Sequence, residues 1–181
     1  MITNDRSNPV RYKLPVDAHA AQRNRLSAWL NDQIDEAHRF GCAPAFLGPT
    51  GTGKTFALLT LRDTRPSVYV DWLEFLADIR TFYRMQTEDS SCFDPVQWAR
   101  SYSGHLLLDD VGCERDLSGH DVEVFDKVVR SRVAQCTPLS FTTNLSVDAI
   151  AHRYGEPVMS RLGRMCHFIE MAGVDRRLER T

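Results

Sequence analysis

The sequence predicts one α/β domain in which a parallel sheet of five strands lies between helices. Three observations lead to this prediction. Short apolar runs alternate with segments whose apolar residues recur about every 3.6 positions, the period of an amphipathic helix. A glycine-rich segment, GPTGTGKT at 48–55, joins the first apolar run to the next helical segment. The 181 residues, 43% of them hydrophobic, suffice for one sizeable core. Because strands and helices alternate, we expect parallel strands covered on both faces.

The predicted elements follow in chain order. A helix over 20–39 is predicted from the spacing of Leu26, Trp29, Leu30, Ile34 and Ala37, and Gly41 ends it. Strands are predicted at 44–48, 67–70, 105–109, 139–143 and 166–171, and further helices at 55–62, 72–83, 121–134, 146–154 and 157–164. Asp71 and Ser146 are the expected N-caps of two of these helices. Residues 86–95 are polar and include Pro95, so they predict a loop.

The first part of the chain differs from the rest. Residues 1–18 carry Pro9 and Pro15 among polar residues, which indicates an extended arm before the first helix. We therefore divide the chain into an N-terminal arm and helix at 1–43 and a core domain at 44–181. The arm and helix form a candidate partner-binding element.

Composition argues against several classes of function. The formal net charge of −2 gives no overall attraction to nucleic acid or membrane, although it allows a local basic face. No stretch has the length and apolar character of a signal peptide or a spanning helix, so we expect no membrane association. The five cysteines are scattered without a CxxC pair, and the six histidines add no zinc-binding spacing. This cysteine usage predicts reduced thiols and a cytoplasmic protein.

Residues 48–55 have the spacing GxxxxGK[ST] of a phosphate-binding loop. Glycines allow positive φ and a close approach of phosphate to the backbone, and the amides at the start of the next helix favour anions. The predicted nucleotide-binding residues are Gly48, Pro49, Thr50, Gly51, Thr52, Gly53, Lys54 and Thr55. Lys54 is expected to reach the β- and γ-phosphates, and the Thr55 hydroxyl to bind Mg²⁺. A glycine turn before a helix is the structural alternative.

Two acidic residues end the third predicted strand. A carboxylate at the carboxyl end of a buried strand beside the loop can hold Mg²⁺ through water, and we assign this role to Asp109. The neighbouring Asp110 is expected to orient or deprotonate the attacking water. Many ATPases have a glutamate at this second position, and an aspartate reaches less far, so slow hydrolysis is an open outcome. A simple turn that leaves the strand is the alternative interpretation.

Asn144 follows the fourth predicted strand, in the sequence FTTN. An asparagine at a strand end can hydrogen-bond both the γ-phosphate and the attacking water. A turn-forming or capping asparagine would look the same in the sequence. The order of glycine-rich loop, acid pair and asparagine along the chain is more specific than any one of these features.

With these motifs the chain resembles the AAA+ ATPases, in particular the DnaC-like helicase loaders and the related IstB-like transposition ATPases. The matching stretches are GPTGTGKT (48–55), LLLDDVG (106–112), SFTTNLS (140–146), RYGEPVMSRLG (153–163) and GVDRRL (173–178). The resemblance implies a P-loop NTPase fold of the AAA+ type, ATP and Mg²⁺ as bound groups, and ATP-dependent assembly with copies of the same chain. The helical lid of that family is expected to be reduced or absent.

The resemblance also assigns roles to two arginines. Arg161 matches the arginine finger that enters the ATP site of a neighbouring subunit, and a surface or salt-bridged arginine is the alternative. Arg177 matches a second basic sensor of the nucleotide, with Arg176 as the neighbouring candidate. The predicted catalytic residues are therefore Asp110, Asn144 and Arg161.

A replicative helicase and single-stranded DNA are the partners that the resemblance implies. Two helix segments are candidates for DNA contact: Arg80, Phe82, Tyr83 and Arg84 in one, and Lys127, Arg130 and Arg132 in the other. Basic and aromatic side chains together suit single strands, although the spacing of Phe82 and Tyr83 favours the core. The second group is predicted to lie on one exposed helix side, where a merely solvated surface is the alternative.

The leading prediction is a DNA replication helicase loader that binds and hydrolyses ATP. An IstB-like transposition ATPase would differ from it in its partner. A monomeric P-loop kinase would transfer phosphate to a small molecule and use Arg161 within one subunit. A binding-only switch would hold ATP with little turnover.

Overall fold

Five strands form one parallel sheet in the part of the chain that the computed structural model describes, residues 26–63, 66–85, 94–114 and 119–173. In chain order the elements are α1 (Ala28–Arg39), β1 (Ala43–Leu47), α2 (Lys54–Thr60), a 3₁₀ turn (Leu61–Asp63), β2 (Ser67–Asp71), α3 (Trp72–Met85), α4 (Pro95–Ser101), β3 (His105–Val111), α5 (His120–Ala134), β4 (Leu139–Thr143), α6 (Val147–Tyr154), α7 (Glu156–Met165) and β5 (Cys166–Glu170).

The strand order is β2-β3-β4-β1-β5. Leu47 at the end of β1 pairs with Thr143 at the end of β4, and Asp71 at the end of β2 pairs with Asp109 of β3. The carboxyl ends of β1, β3 and β4 therefore meet at one edge of the sheet. In open parallel sheets this edge is where ligands bind.

The two faces of the sheet bury different helices. Leu106 and Leu108 of β3 pack in a cluster with residues of α3 to α7, whereas Leu107 between them packs with residues of α1 and α2. Side chains alternate across a strand, so a strand covered on both faces is apolar at every position. This double burial explains the continuous apolar runs in the sequence.

The helix α4 was not predicted. Asp94 accepts hydrogen bonds from the amides of Val96 (2.9 Å) and Gln97 (3.1 Å) through the same carboxylate oxygen, and Pro95 takes the first helical position. A proline is tolerated there because its missing N–H would have no partner within the helix. Pro95 therefore starts a helix, and the loop predicted for 86–95 is wrong at its end.

Several aromatic and basic side chains differ from their predicted positions. Trp29, predicted on the apolar face of the first helix, is 54% exposed. Phe82 is buried as the helical spacing favours, whereas Tyr83 is 44% exposed. Arg80 forms an ion pair with the buried carboxylate of Asp121 (2.6 Å), which ties α3 to α5. The first candidate segment for DNA contact is therefore partly engaged in packing.

Arg132 contradicts the predicted basic helix face. Its side chain is fully buried, and its guanidinium donates to the carbonyl oxygens of Tyr102, Gly104 and Pro138. Burial lowers the pKa of Arg132 to about 10. The three carbonyls belong to the segments that enter β3 and β4, so Arg132 closes the amino end of the sheet rather than facing solvent.

Some predictions fall outside the described residues: the extended arm at 1–18, the start of the first helix at 20–25, the loop at 86–93, and Arg176 and Arg177. Within the described ranges, α1 buries Leu30, Ile34 and Ala37 against the core. No helix there combines the length and the apolar character needed to cross a membrane.

Candidate nucleotide site

The glycine-rich loop connects β1 to α2. Gly53 begins α2 with a φ of 95°, and Gly51 has a φ of 82°, both in the region that favours glycine. Thr52 is buried, and its hydroxyl donates to the carbonyl oxygen of Pro49 (3.0 Å). A Cβ added at Gly48 would collide with the carbonyl oxygen of Met171, just beyond β5. The loop is therefore held closely between its own backbone and the neighbouring strand.

Lys54 is almost fully buried at the start of α2. Its ammonium group donates to the carbonyl oxygens of Gly48 and Pro49, at 2.7 Å each, and to Oδ1 of Asn144 at 2.8 Å. The ammonium group has three N–H donors, and these three acceptors are all neutral oxygens. The contact with Asn144 joins the loop to the end of β4.

Asp109 is the buried acid of the site. Its Oδ1 accepts from the hydroxyls of Thr55 (3.1 Å) and Thr142 (2.5 Å), and its Oδ2 accepts from the hydroxyl of Tyr69 (2.8 Å). These donors come from α2, β4 and β2, so the carboxylate is oriented from three directions. Thr55 and Asp109, predicted to bind the same metal ion, are in direct contact.

Tyr69 was not predicted as a site residue. Burial raises its pKa, and the neighbouring carboxylate of Asp109 raises it further. The phenol therefore stays protonated and donates to Asp109. In the sequence Tyr69 is only one apolar position of a strand, so no local signal marks it.

Asp110 has an unusual backbone conformation. Its φ is 59°, in the left-handed region that residues other than glycine rarely adopt. Its amide donates to the hydroxyl of Thr142 (2.8 Å), and its side chain is half-buried. Asp110 therefore interrupts the regular extended backbone of β3 directly after Asp109.

Asn144 lies between Lys54 and the segment after β3. Its Oδ1 accepts from Lys54, and its Nδ2 approaches the Sγ atom of Cys113 (3.4 Å). Burial raises the pKa of Cys113, and Asp110 adds to the increase. Asn144 thus contacts both the glycine-rich loop helix and the segment after β3.

Glu114 is a buried acid that sequence reasoning missed. Its carboxylate accepts from Trp72 Nε1 (3.1 Å), the amide of Gly112 (2.9 Å), the hydroxyl of Tyr154 (2.6 Å) and Arg153 Nε (3.1 Å). It ties the segment after β3 to α3 and α6. In the sequence Glu114 stands in the polar run CERD, which resembles an exposed turn.

Arg161 lies on α7, apart from the residues gathered around the loop. Its guanidinium contacts the carboxylate of Asp126 on α5 (3.4 Å) and the carbonyl oxygen of Pro157 (3.0 Å), and its side chain is 28% exposed. The structure therefore brings Lys54, Thr55 and Asp109 together with Asn144, and places Arg161 elsewhere. Arg177 lies outside the described residues.

The oxygen donors of this site suit Mg²⁺. One carboxylate and one hydroxyl, in contact at 3.1 Å, are hard oxygen ligands of the kind that hold Mg²⁺ together with water and phosphate. The buried ammonium of Lys54 and the loop backbone lie beside them, as a triphosphate requires. These residues fit a Mg²⁺–nucleotide complex.

Comparisons with known proteins point in the same direction. No model of a protein family matches the sequence. The replicative helicase loader DnaI of Bacillus subtilis (strain 168) is 25% identical over 108 residues, which are 59% of this chain and 34% of that protein. The chain thus spans about a third of the length of this curated relative. This similarity confirms the resemblance to helicase loaders that the motifs indicate.

Solved structures confirm the fold class. The crystal structure of the DnaC helicase loader matches with a TM-score of 0.68 at 20% identity, covering 87% of this chain and 100% of that one. The replication initiator DnaA bound to AMPPCP and single-stranded DNA matches with a TM-score of 0.61 at 16% identity, covering 81% and 46%. At these identities the likeness concerns the fold. The described residues share the α/β fold of these solved structures, with a parallel five-stranded sheet between helices as predicted.

Proposed function

We propose that this chain is a helicase loader that binds and hydrolyses ATP and assembles with copies of itself. The observation that carries the proposal is the meeting of Lys54, Thr55, Asp109 and Asn144 at one edge of the sheet. The similarity to the replicative helicase loader DnaI supports the biological role.

The contact between Lys54 and Asn144 provides a way for the protein to sense bound ATP. A phosphate oxygen carries charge and is a stronger acceptor for an ammonium group than a neutral amide oxygen. ATP therefore competes with Asn144 for Lys54. Once displaced, the Asn144 amide is free to contact the terminal phosphate, and β4 reports which nucleotide is bound.

The two acids have different proposed roles: Asp109 holds the metal ion and Asp110 acts on the attacking water. Thr55 and Asp109 would hold Mg²⁺, which would supply charge neutralisation at the bound phosphates. Asp110 orients the attacking water and accepts its proton. Asp110→Asn is expected to lower steady-state turnover at least about tenfold, in the range of general-base catalysis. Unchanged turnover in this variant would remove Asp110 from the reaction and favour a binding-only switch.

Arg161 is proposed to act in the ATP site of a neighbouring subunit. Among the described residues it bonds to one carboxylate at 3.4 Å and one backbone carbonyl, and it is partly exposed. A guanidinium carries a permanent charge in a planar fork that fits a phosphate. Arginine fingers contribute roughly 10³–10⁵ to the rate in related phosphoryl-transfer enzymes.

Complementation between two inactive variants tests this arrangement. Lys54→Ala is expected to lose ATP binding but keep Arg161, whereas Arg161→Ala keeps ATP binding but lacks the finger. If the finger acts between subunits, a mixture restores hydrolysis because Lys54→Ala supplies Arg161 to the ATP site of its neighbour. Arg164→Ala, an exposed arginine on the same helix, is the matched control and should hydrolyse ATP normally.

Two results would contradict the proposal that Arg161 acts as an arginine finger between subunits. A normal rate of ATP hydrolysis in Arg161→Ala would show that the residue has no part in the reaction. A mixture that stays inactive at every ratio, with activity independent of protein concentration in the wild type, would place Arg161 in its own site. Phosphoryl transfer to a small acceptor would then favour the kinase.

Assembly and partners need separate measurements. Size-exclusion chromatography with light scattering is run with ADP, with a non-hydrolysable ATP analogue, and with the analogue plus single-stranded DNA. We expect oligomers only with the analogue, and a monomer in every condition would exclude assembly. Capture of the replicative helicase by the analogue-bound chain supports a loader, whereas capture of a transposase supports the IstB-like alternative.

A further inference from the structure

The register in which β3 pairs with β4 is irregular at the acid pair, Asp109 and Asp110. Leu108 pairs with Phe141, and Val111 pairs with Thr143, so β3 advances three residues where β4 advances two. The extra residue belongs to the pair Asp109–Asp110. Such bulges redirect side chains and are frequent beside functional sites.

The hydroxyl of Thr142 occupies this bulge. It donates its proton to Asp109 Oδ1 (2.5 Å) and accepts from the Asp110 amide (2.8 Å). A hydroxyl has one proton to donate, so these two bonds fix the direction of both contacts. Thr142 is fully buried. One side chain thus holds the carboxylate of Asp109 and the left-handed backbone of Asp110.

We propose that Thr142 is a positioning residue that sets the acid pair for Mg²⁺ binding and water activation. The proposal rests on the proposed ATPase function. Asp109 Oδ1 is the oxygen that also contacts Thr55, so Thr142 determines how that oxygen faces the metal-binding hydroxyl. Since Asn144 stands two residues further along the chain, directly after β4, Thr142 also lies between the acids and the amide proposed to sense the nucleotide.

A purely structural role is the competing explanation, and the same two strands offer a matched control. Ser140 of β4 is also fully buried, and its hydroxyl bonds to His105 Nε2 of β3 (2.9 Å). This contact joins β4 to β3 at the amino end, away from the acid pair. A loss of cross-strand stability is therefore common to both sites, whereas a changed response to Mg²⁺ is expected only at Thr142.

The experiment uses the full chain with Thr142→Val, Thr142→Ser and Ser140→Ala. A fluorescent ATP analogue is titrated in EDTA and at increasing Mg²⁺, and ATP turnover is measured over the same Mg²⁺ range. For Thr142→Val we expect the Mg²⁺ requirement to rise about tenfold and turnover to fall about tenfold, the effect of losing a hydrogen bond to a charged group. Affinity in EDTA stays within about twofold, because the loop is unchanged.

The two other variants separate positioning from stability. Thr142→Ser keeps the hydroxyl and is expected to restore the Mg²⁺ response to within about threefold of the wild type. Ser140→Ala is expected to lower the denaturation midpoint with no change in the Mg²⁺ response. If Thr142→Val does not fold, Thr142→Cys, of similar size with a weak donor, takes its place.

Clear outcomes would overturn the proposal. A normal Mg²⁺ response in Thr142→Val, or an equal change in Ser140→Ala, removes the positioning role while the wild type still binds and hydrolyses ATP. A wild type without Mg²⁺-dependent nucleotide binding overturns the proposed function itself, and the role of Thr142 with it.

Discussion

Buried polar side chains lie at both ends of the sheet, but they bond to different groups. At the amino end, Arg132 donates to three backbone carbonyls, and Ser140 pairs with His105. At the carboxyl end, the buried Asp109 bonds to side chains that arrive from other elements, and the buried Lys54 bonds to the exposed Asn144. At both ends most buried polar groups are paired, as is usual in folded proteins.

The difference lies in whether the contacts can be exchanged. The backbone carbonyls bound by Arg132 are fixed by the strands that they precede, so the fold itself holds these contacts in place. The ammonium of Lys54 bonds to two backbone carbonyls and also to the Asn144 side chain, and the hydroxyl of Thr55 bonds to the Asp109 side chain. A charged ligand can outcompete these two side-chain contacts. Burial of a polar residue is therefore no sign of function by itself, whereas the kind of partner is informative.

The largest expected effect concerns Lys54→Ala. Nucleotide affinity should fall at least about 100-fold, or roughly 2.7 kcal/mol, because the ammonium is the main charge facing the phosphates. Equilibrium titration with a fluorescent ATP analogue measures it, and urea unfolding checks that the fold is kept. Lys127→Ala, in which the removed side chain is 48% exposed, serves as the control. If Lys54→Ala kept its nucleotide affinity within threefold of the wild type, the proposed contrast between exchangeable contacts at the carboxyl end and fixed contacts at the amino end would be wrong.

At the opposite end, Arg132→Met is expected to lower the free energy of unfolding by about 3 kcal/mol, since buried carbonyls lose their donor. Nucleotide affinity should stay within about twofold under conditions where the variant is folded. Arg130→Met on the same helix removes a side chain that is 63% exposed and should change stability by less than about 0.5 kcal/mol. A large loss of affinity in Arg132→Met would show that the two ends are coupled.

Glu114 lies near the carboxyl end, yet its carboxylate is paired within the fold as the groups at the amino end are. Replacing it by Gln leaves Arg153 without its charged partner and should lower the free energy of unfolding by about 2 kcal/mol. Affinity for the ATP analogue is expected to change less than threefold. Combining Glu114→Gln with Arg153→Met should cost less than the sum of the single changes, as for residues in contact. A tenfold loss of affinity would assign Glu114 to the nucleotide site.

The smallest effect is expected for Tyr69→Phe, which removes one of three donors to Asp109 and should cost about 1 kcal/mol. The pKa of Tyr69 is raised above its ordinary value of 10.0, so the folded state keeps the proton that the unfolded state loses. Its contribution to stability is complete below about pH 10 and declines as the pH rises beyond it. Urea unfolding between about pH 9 and 11 should show a shallower decline in Tyr69→Phe. An identical slope in both proteins would exclude this linkage.

Much of the fold follows from local sequence. The apolar runs of β1, β3 and β4 and the caps Asp71 and Ser146 lie where the spacing predicts them. The exception at α4 has a local cause, since a proline that follows a capping aspartate starts a helix as readily as it interrupts one.

The site was predictable only in part. Lys54, Thr55, Asp109 and Asn144 stand in short motifs whose spacing is tied to phosphate and metal chemistry, and the strand order brings them together. Tyr69 and Thr142 read as ordinary strand residues, and Glu114 as a turn residue, so nothing local distinguishes them.

The sequence alone thus determined the alternation of strands and helices, the phosphate-binding loop and the acid pair, because these depend on residues close together in the chain. Only the tertiary structure decided that Arg132 is buried and that Thr142 holds both acids. Apart from Pro138, which stands six residues from Arg132, their partners are 28 to 33 positions away in the chain. Side chains so far apart become neighbours only when the sheet assembles, and burial then makes their pairing obligatory.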